Sequence, residues 1–284
     1  MQEHWDVIIV GARCAGATLA TLLARRGLRV LLLEASDRGT NHPMSTHLVH
    51  AAGMDVLDRI GLGDRVRAVT PATARLRYAL DSSELTSSSD PGREGYCVRR
   101  STLDPWLQDT AESAGAELRC RTRVTELIRE HGRVVGVVAR GAHGSEKLYA
   151  DLVVGADGTR SSIAQLTAAP EYLAAESTRA GYFAYYQAPA RWTNAWDATL
   201  EHIGRDLRYV FRCDDDQVLL TYVGARDEVA AWGSAHREGF ERVLQASPTT
   251  GPLAAGKKPL GAVIGLLRAR FYYREPIGPG YALV

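Results

Sequence analysis

An apolar run, Val7–Val10, meets Gly11 directly and opens the hexapeptide Gly11-Ala12-Arg13-Cys14-Ala15-Gly16. A run so short and so apolar reads as a strand buried on both faces, as in a parallel sheet. Ala15 to Arg26 then follows a helical period, with Leu19, Leu22 and Leu23 on one side. Gly27 stands where a helix C-cap glycine belongs. Arg29 to Leu33 is a second strand, ending at Glu34. Strand, helix and strand occupy about 30 residues, the length of a βαβ crossover.

That order gives the hexapeptide a chemical meaning. The free N–H groups of a helix N-terminus, with the positive end of the helix dipole, attract a pyrophosphate. Gly11 permits the tight turn, Gly16 permits close helix–strand packing, and Ala15 lies in the first helical turn. Arg13 stands where the fingerprint carries a middle glycine, whose absent side chain lets backbone approach the phosphates; the charge of Arg13 offers compensation. Glu34 ends the second strand at close to the spacing of about 20 residues expected for the acid that holds adenosine ribose hydroxyls. An acid there opposes a ribose 2′-phosphate and disfavours NADP at this place. A plain strand–helix turn and an exposed strand-end carboxylate satisfy the same residues, and FAD and NAD are not separated at this point.

The 284 residues allow one large domain or two intimate ones, with core enough to need no disulfide or metal staple. A net charge of +1 makes no electrostatic case for nucleic acid or an anionic membrane. Cys14, Cys97, Cys120 and Cys213 are scattered, without a C-x-x-C pair, which indicates neither zinc nor a disulfide framework. The polar start fits no signal peptide, and arginines interrupt the longest apolar runs far short of the ~20 residues of a membrane span. A cytoplasmic protein is expected.

Further along, Val49–Ile60 reads as a helix and Ala72–Leu80 as a strand, while Asp81–Gly95 reads as an exposed Ser-, Asp- and Gly-rich loop. Ser101–Gly115 is an amphipathic helix. Val124–Ile128 and Val134–Ala139 flank a hairpin signal, and Asp151–Gly155 is another apolar strand meeting a glycine. From Thr178 onward, Tyr182–Gln187, Arg208–Arg212 and Val218–Val223 alternate as strands, with one covering helix near Ala235–Gln245.

Two segments carry a resemblance. Arg100-Ser101-Thr102-Leu103-Asp104 sits at a helix start, and Gly155-Ala156-Asp157-Gly158-Thr159-Arg160-Ser161-Ser162 follows the apolar strand. With the N-terminal unit, in this order, they resemble the flavoprotein monooxygenases of the p-hydroxybenzoate hydroxylase type and the related geranylgeranyl reductases, over nearly the whole chain. The resemblance implies FAD as the dinucleotide, with NADH or NADPH as a transient electron donor and O2 and a small molecule as reactants. It implies that Arg100 approaches the FAD pyrophosphate and that Asp157 and Gly158 support the flavin site. The strand beginning at Val124 would offer backbone to the adenine, and Ser45, Thr46 and His47 would lie near the flavin ring. Asp-Gly is also a common turn dipeptide, and Ser45-Thr46 reads equally as a helix cap. His47 and His50 form an H-x-x-H pair without a third ligand, and no G-x-S-x-G elbow suggests a serine hydrolase.

The implied fold is α/β: a Rossmann-like FAD-binding domain (1–70 and 96–170) interleaved with an antiparallel-sheet substrate domain (71–95 and 171–275), with 276–284 as a return strand. The Gly-Trp-x-Trp-x-Ile-Pro stretch of flavin halogenases is absent; Trp192 and Trp196 lie in another context. The Tyr-x-Trp-x-Phe-Pro stretch of the prenyl reductases has only Tyr209-Val210-Phe211-Arg212 as a counterpart. The family's Gly-Asp motif, which contacts the ribityl chain, would fall just after Val284, so a C-terminally truncated member is expected. The expected activity is that of an NAD(P)H-driven monooxygenase on a small aromatic or polyketide-like substrate. A flavin-dependent C=C reductase, an NAD-linked dehydrogenase and an inactive remnant are the alternatives. No acid–base residue is named by the sequence.

Overall fold

The computed structural model describes residues 3–39 and 48–284. Backbone contacts group the chain into two units: Met1–His42, Arg100–Ala174 and Tyr272–Val284 in the first, and Pro43–Arg99 and Ala175–Phe271 in the second.

The first unit begins with β1 (His4–Val10), α1 (Cys14–Ala24) and β2 (Val30–Leu33). It continues through α2 (Arg100–Ser113), β3 (Glu117–Arg119), β4 (Arg123–Glu130), β5 (Arg133–Gly141), β6 (Gly144–Gly155) and α3 (Ser162–Thr167), and ends with β7 (Ile277–Gly278) and β8 (Tyr281–Leu283). The strand order β8-β6-β1-β2-β3 is parallel throughout. Ile8, Ile9 and Leu31–Leu33 are fully buried, each such side chain contributing about 2 kcal/mol by leaving water. The face of α1 that is buried is not the leucine side but Gly16, Ala17, Ala20 and Thr21. Small residues let the helix sit close to its neighbours, and Leu19, Leu22 and Leu23 are only half-buried. The β4–β5 hairpin turns through His131 (φ +49°) and Gly132 (φ +80°), two left-handed residues in succession as a type I′ turn requires.

The second unit is a seven-stranded sheet in the order Ile264–Leu266, Arg179–Gln187, Gln217–Ala225, Asp206–Arg212, Ala198–Ile203, Arg75–Leu80 and Ser83–Ser88. It is antiparallel except for the pairing of Ala198–Ile203 with Arg75–Leu80. The Asp197 carboxylate fixes that parallel join by accepting the N–H groups of Ala74 and Arg75 and the Arg75 guanidinium. The helix His236–Gln245 covers one face through the fully buried Phe240 and Leu244, packed with Tyr182, Tyr186 and Leu220.

Two expectations are corrected. The segment read as a loop over Asp81–Gly95 contains an edge strand, Ser83–Ser88, exposed at every position and paired with Arg75–Leu80. A polar, serine-rich edge strand has no buried face to create alternation, so its sequence reads as loop. Residues 48–70 and 96–99 also group with the second unit by backbone contacts, whereas the expected division placed them in the first. Leu48–Val49, Ala72–Thr73 and Gly95–Cys97 form one small sheet, Cys97 bridges Cys213, and the Arg99 guanidinium grips the buried Asp214 at 3.0–3.1 Å.

None of the four cysteines is in a disulfide. The buried Cys97 and Cys213 sulfurs are 3.5 Å apart, and burial pushes the Cys97 thiol well above its ordinary range. Both sulfurs are shut away from solvent, so both thiols should react with Ellman's reagent only when the chain unfolds. Reaction of either at neutral pH in the folded protein would contradict this packing.

Candidate dinucleotide site

Val10 is in register with Leu33 on one side and with Gly155 on the other, so β1, β2 and β6 end together. In parallel α/β sheets ligands bind beyond those carboxyl ends. Gly11 leaves β1 at φ +102°, and a Cβ on it would lie 2.4 Å from the Ala156 carbonyl oxygen and 2.9 Å from Asp157 Cα. A Cβ on Gly16 would lie 1.8 Å from the Gly11 oxygen. Both glycines are therefore required by backbone crowding. Arg13 differs: its φ of −108° and ψ of −157° are extended backbone open to any residue. A side chain is tolerated at the middle position because no left-handed conformation is needed there.

Helix α1 starts at Cys14 without a side-chain cap, so the N–H groups of Cys14, Ala15 and Gly16 have no acceptor within the helix. The buried Glu34 carboxylate lies over this loop. Its Oε2 accepts the Ala12 N–H at 3.0 Å and its Oε1 the Ser36 N–H at 2.9 Å. Burial pushes the Glu34 pKa up, but these two N–H groups, with the nearby Arg13, hold it below its ordinary value of 4.5. A group depressed by folding stabilises the fold above its unfolded pKa, and that contribution is lost as pH falls through the folded value. Stability should therefore decline on acidification below about 4.5. Glu34→Gln presents an amide N–H₂ to one of the two donors; it should cost about 2 kcal/mol and remove the Glu34 contribution to that acid limb. An unaltered limb in a pH series of denaturant melts would refute the assignment.

Arg100, Asp104 and Gln108 recur at one-turn spacing on α2. Asp104 is fully buried and takes a two-pronged ion pair from Arg100, Nε at 2.6 Å and Nη2 at 2.8 Å. The Cys14 thiol donates weakly to the same carboxylate at 3.7 Å. Burial, with the Asp104 carboxylate, pushes that thiol up to about 11 against the opposing pull of Arg100. Gln108 bridges the loop, donating to the Ala12 carbonyl at 3.0 Å and accepting the Gly39 N–H at 2.9 Å.

Asp157 follows β6. Its Oδ2 caps α3 by accepting from the Ser162 N–H at 2.6 Å and the Ser162 hydroxyl at 2.7 Å. Its Oδ1 is buried and has no hydrogen-bond partner. Gly158 continues at φ +80° and is exposed. Val124 is buried in the core of the first unit, so only its backbone could face a ligand. Among the described residues, then, the structure brings together Gly11, Arg13, Ala15, Gly16, Glu34, Arg100, Asp157 and Gly158. Val124 sits deeper in the core, and Ser45, Thr46 and His47 lie outside the described residues. The sequence reading did not single out Asp104 as a site residue in its own right, and it missed Gln108. Their signal was a polar stripe at i, i+4, i+8 beside the buried stripe Leu103, Leu107 and Ala111.

A parallel sheet with a glycine turn, an acid at the second strand end and an uncapped helix start defines an α/β dinucleotide-binding protein. The chain belongs to the FAD binding domain family, whose profile matches residues 4–249. It is 32% identical over 171 residues to Protein FixC of Escherichia coli (strain K12), a match covering 58% of this chain and 39% of that protein. It is 34% identical over 165 residues to digeranylgeranylglycerophospholipid reductase 2 of Methanothermobacter thermautotrophicus, covering 57% and 41%. The matched stretch is thus about two fifths of these curated relatives. The fold is that of the myxobacterial FAD-dependent halogenase CndH (TM-score 0.86, 22% identity, 99% of this chain and 68% of that one). It is shared by PqsL of Pseudomonas aeruginosa, a probable FAD-dependent monooxygenase (TM-score 0.80, 20% identity, 99% and 78%). Among the described residues no helix is long and apolar enough to cross a membrane.

Proposed function

We propose that the first unit grips FAD and that the protein is an NADH- or NADPH-driven monooxygenase of a small aromatic or polyketide-like molecule, set in the cytoplasm. The observation that carries the reading is the cradle at the ends of β1 and β6, where Gly11 and Asp157 touch backbone to backbone and the buried Asp157 Oδ1 lacks a protein partner. An orphaned buried carboxylate oxygen costs about 1–3 kcal/mol, and a ligand hydroxyl or N–H would satisfy it. In this reading the N–H groups of Cys14, Ala15 and Gly16 receive the pyrophosphate, Arg100 supplies its counter-charge and Glu34 accepts the ribose hydroxyls. The backbone at Val124 meets the adenine and Gly158 lets the chain approach closely; Ser45, Thr46 and His47, outside the described residues, are proposed for the ring side on the family resemblance alone. When bound, FAD would supply the redox chemistry that couples nicotinamide oxidation to O2.

The second unit carries an aromatic-rich sheet face, with Phe183 and Phe211 buried and Tyr185 and Tyr209 half-buried, of the kind that suits a planar apolar substrate. On the sheet face opposite the helix His236–Gln245 stand Phe183 and Tyr185, edge to face at 6.1 Å, and Tyr209 and Phe211, stacked at 6.2 Å. Burial pushes the Tyr185 hydroxyl far above its ordinary range. It therefore stays protonated and cannot serve as a base near neutral pH. The test is oxygen uptake by the FAD-loaded protein with NADH and then NADPH, across a panel of phenols and polyketide aromatics, followed by product mass in ¹⁸O₂. Substrate-stimulated uptake with label in the product supports the reading; substrate-independent NAD(P)H oxidation with unlabelled product counts against it. A flavin-dependent C=C reductase is the second reading, favoured by the 34% identity to a prenyl-lipid reductase. It predicts a saturated product under anaerobic conditions.

A further inference from the structure

We infer that Arg13 reads the adenosine of the bound nucleotide and not its diphosphate; the inference rests on the FAD reading above. The position is one where a dinucleotide loop ordinarily dispenses with a side chain, yet here the extended backbone carries one without strain. The guanidinium reaches Ser36, its Nη2 donating to the hydroxyl at 3.4 Å, and so lies along the end of β2. Glu34 stands beside it and is held ionised partly by its charge. The landing place is tied to the segment leading into β4: the Ser36 carbonyl accepts the Arg121 N–H and the Glu34 carbonyl accepts the Thr122 N–H, each at 2.9 Å. Arg13 thus spans from the glycine turn to the ends of β2 and β4, the side that takes ribose and base. The diphosphate is already served by the α1 N-terminus. A planar guanidinium there can lie on the face of a purine and hydrogen-bond to ribose oxygen. An ammonium, with no flat face, cannot do both.

The experiment uses the full chain stripped of flavin and measures dissociation constants for FAD, ADP, AMP, adenosine and FMN by competition. Arg13→Ala should weaken the four adenosine ligands by a common factor, roughly 5- to 20-fold, leave FMN unchanged and leave the salt dependence of FAD binding unchanged. Arg13→Lys, which keeps the charge, should resemble Arg13→Ala, and melting curves establish that both variants are folded. The inference is overturned if Arg13→Ala weakens FAD and ADP while adenosine binding is unchanged, with a flatter salt dependence. It is also overturned if Arg13→Lys binds adenosine as the parent does, or if no affinity changes. A parent chain that binds none of the adenosine ligands overturns the FAD reading itself, a result distinct from a parent that binds them and variants that match it.

Discussion

Gly11→Ala should abolish flavin retention, weaken FAD binding more than 100-fold and lower the melting temperature by about 5–10 °C. Two costs combine. A residue with a Cβ at φ +102° pays about 1–2 kcal/mol of backbone strain. The new methyl must also displace the Ala156 carbonyl, 2.4 Å away, and with it the Asp157 backbone. Because that backbone carries the capping carboxylate and the orphaned oxygen, the shift reaches both walls of the cradle. Gly27→Ala separates the two costs. Gly27 has φ +83° but nothing within 4 Å of the added Cβ, so this variant should lose only about 1 kcal/mol and keep its flavin. Equal losses at Gly11 and Gly27 would mean that close approach at the turn plays no part.

Asp104→Ala should be the most damaging side-chain truncation outside the glycines, at about 3–5 kcal/mol. Asp104 is fully buried, and the Arg100 side chain is 14% exposed. Removing the carboxylate strands a cation that has little water and, among the described residues, no other carboxylate at ion-pair distance. FAD affinity should fall as well, since Arg100 is aimed by that two-pronged pair. The double variant Arg100→Ala with Asp104→Ala should be more stable than Asp104→Ala alone, because the stranded charge is gone. A double variant as unstable as the sum of the two single losses would show that the pair contributes through packing and not through charge. Urea melts of the three variants decide between these outcomes.

The glycine turn, α1 and Glu34 were legible in the sequence because a βαβ unit is local: its strand, turn, helix and acid follow one another within a short stretch. Arg100 and Asp157 were legible through resemblance, yet what they do within the protein was not. Asp157 spends one oxygen on capping α3, a short-range bond that any Asp-Gly turn could make. Arg100 is turned by Asp104, whose burial depends on α1 packing against α2 from far along the chain. Gln108 joins Ala12 to Gly39, a bridge with no sequence periodicity beyond its helix stripe. The grouping of 48–70 with the second unit was not legible for the same reason. It rests on two-residue strands at Leu48 and Ala72 that meet Gly95–Cys97, too short to carry a pattern. Ser83–Ser88 escaped because an edge strand exposed on both sides has no alternation to show.

In the proposed reading the ends of β1, β2 and β6 hold FAD by its adenosine diphosphate half. Equilibrium dialysis of the flavin-stripped chain against FAD, with ADP and FMN as competitors, is the decisive measurement. Saturable binding of one FAD per chain is expected, displaced by ADP and indifferent to FMN. Displacement by FMN with no effect of ADP, or an absence of saturable FAD binding, would contradict it.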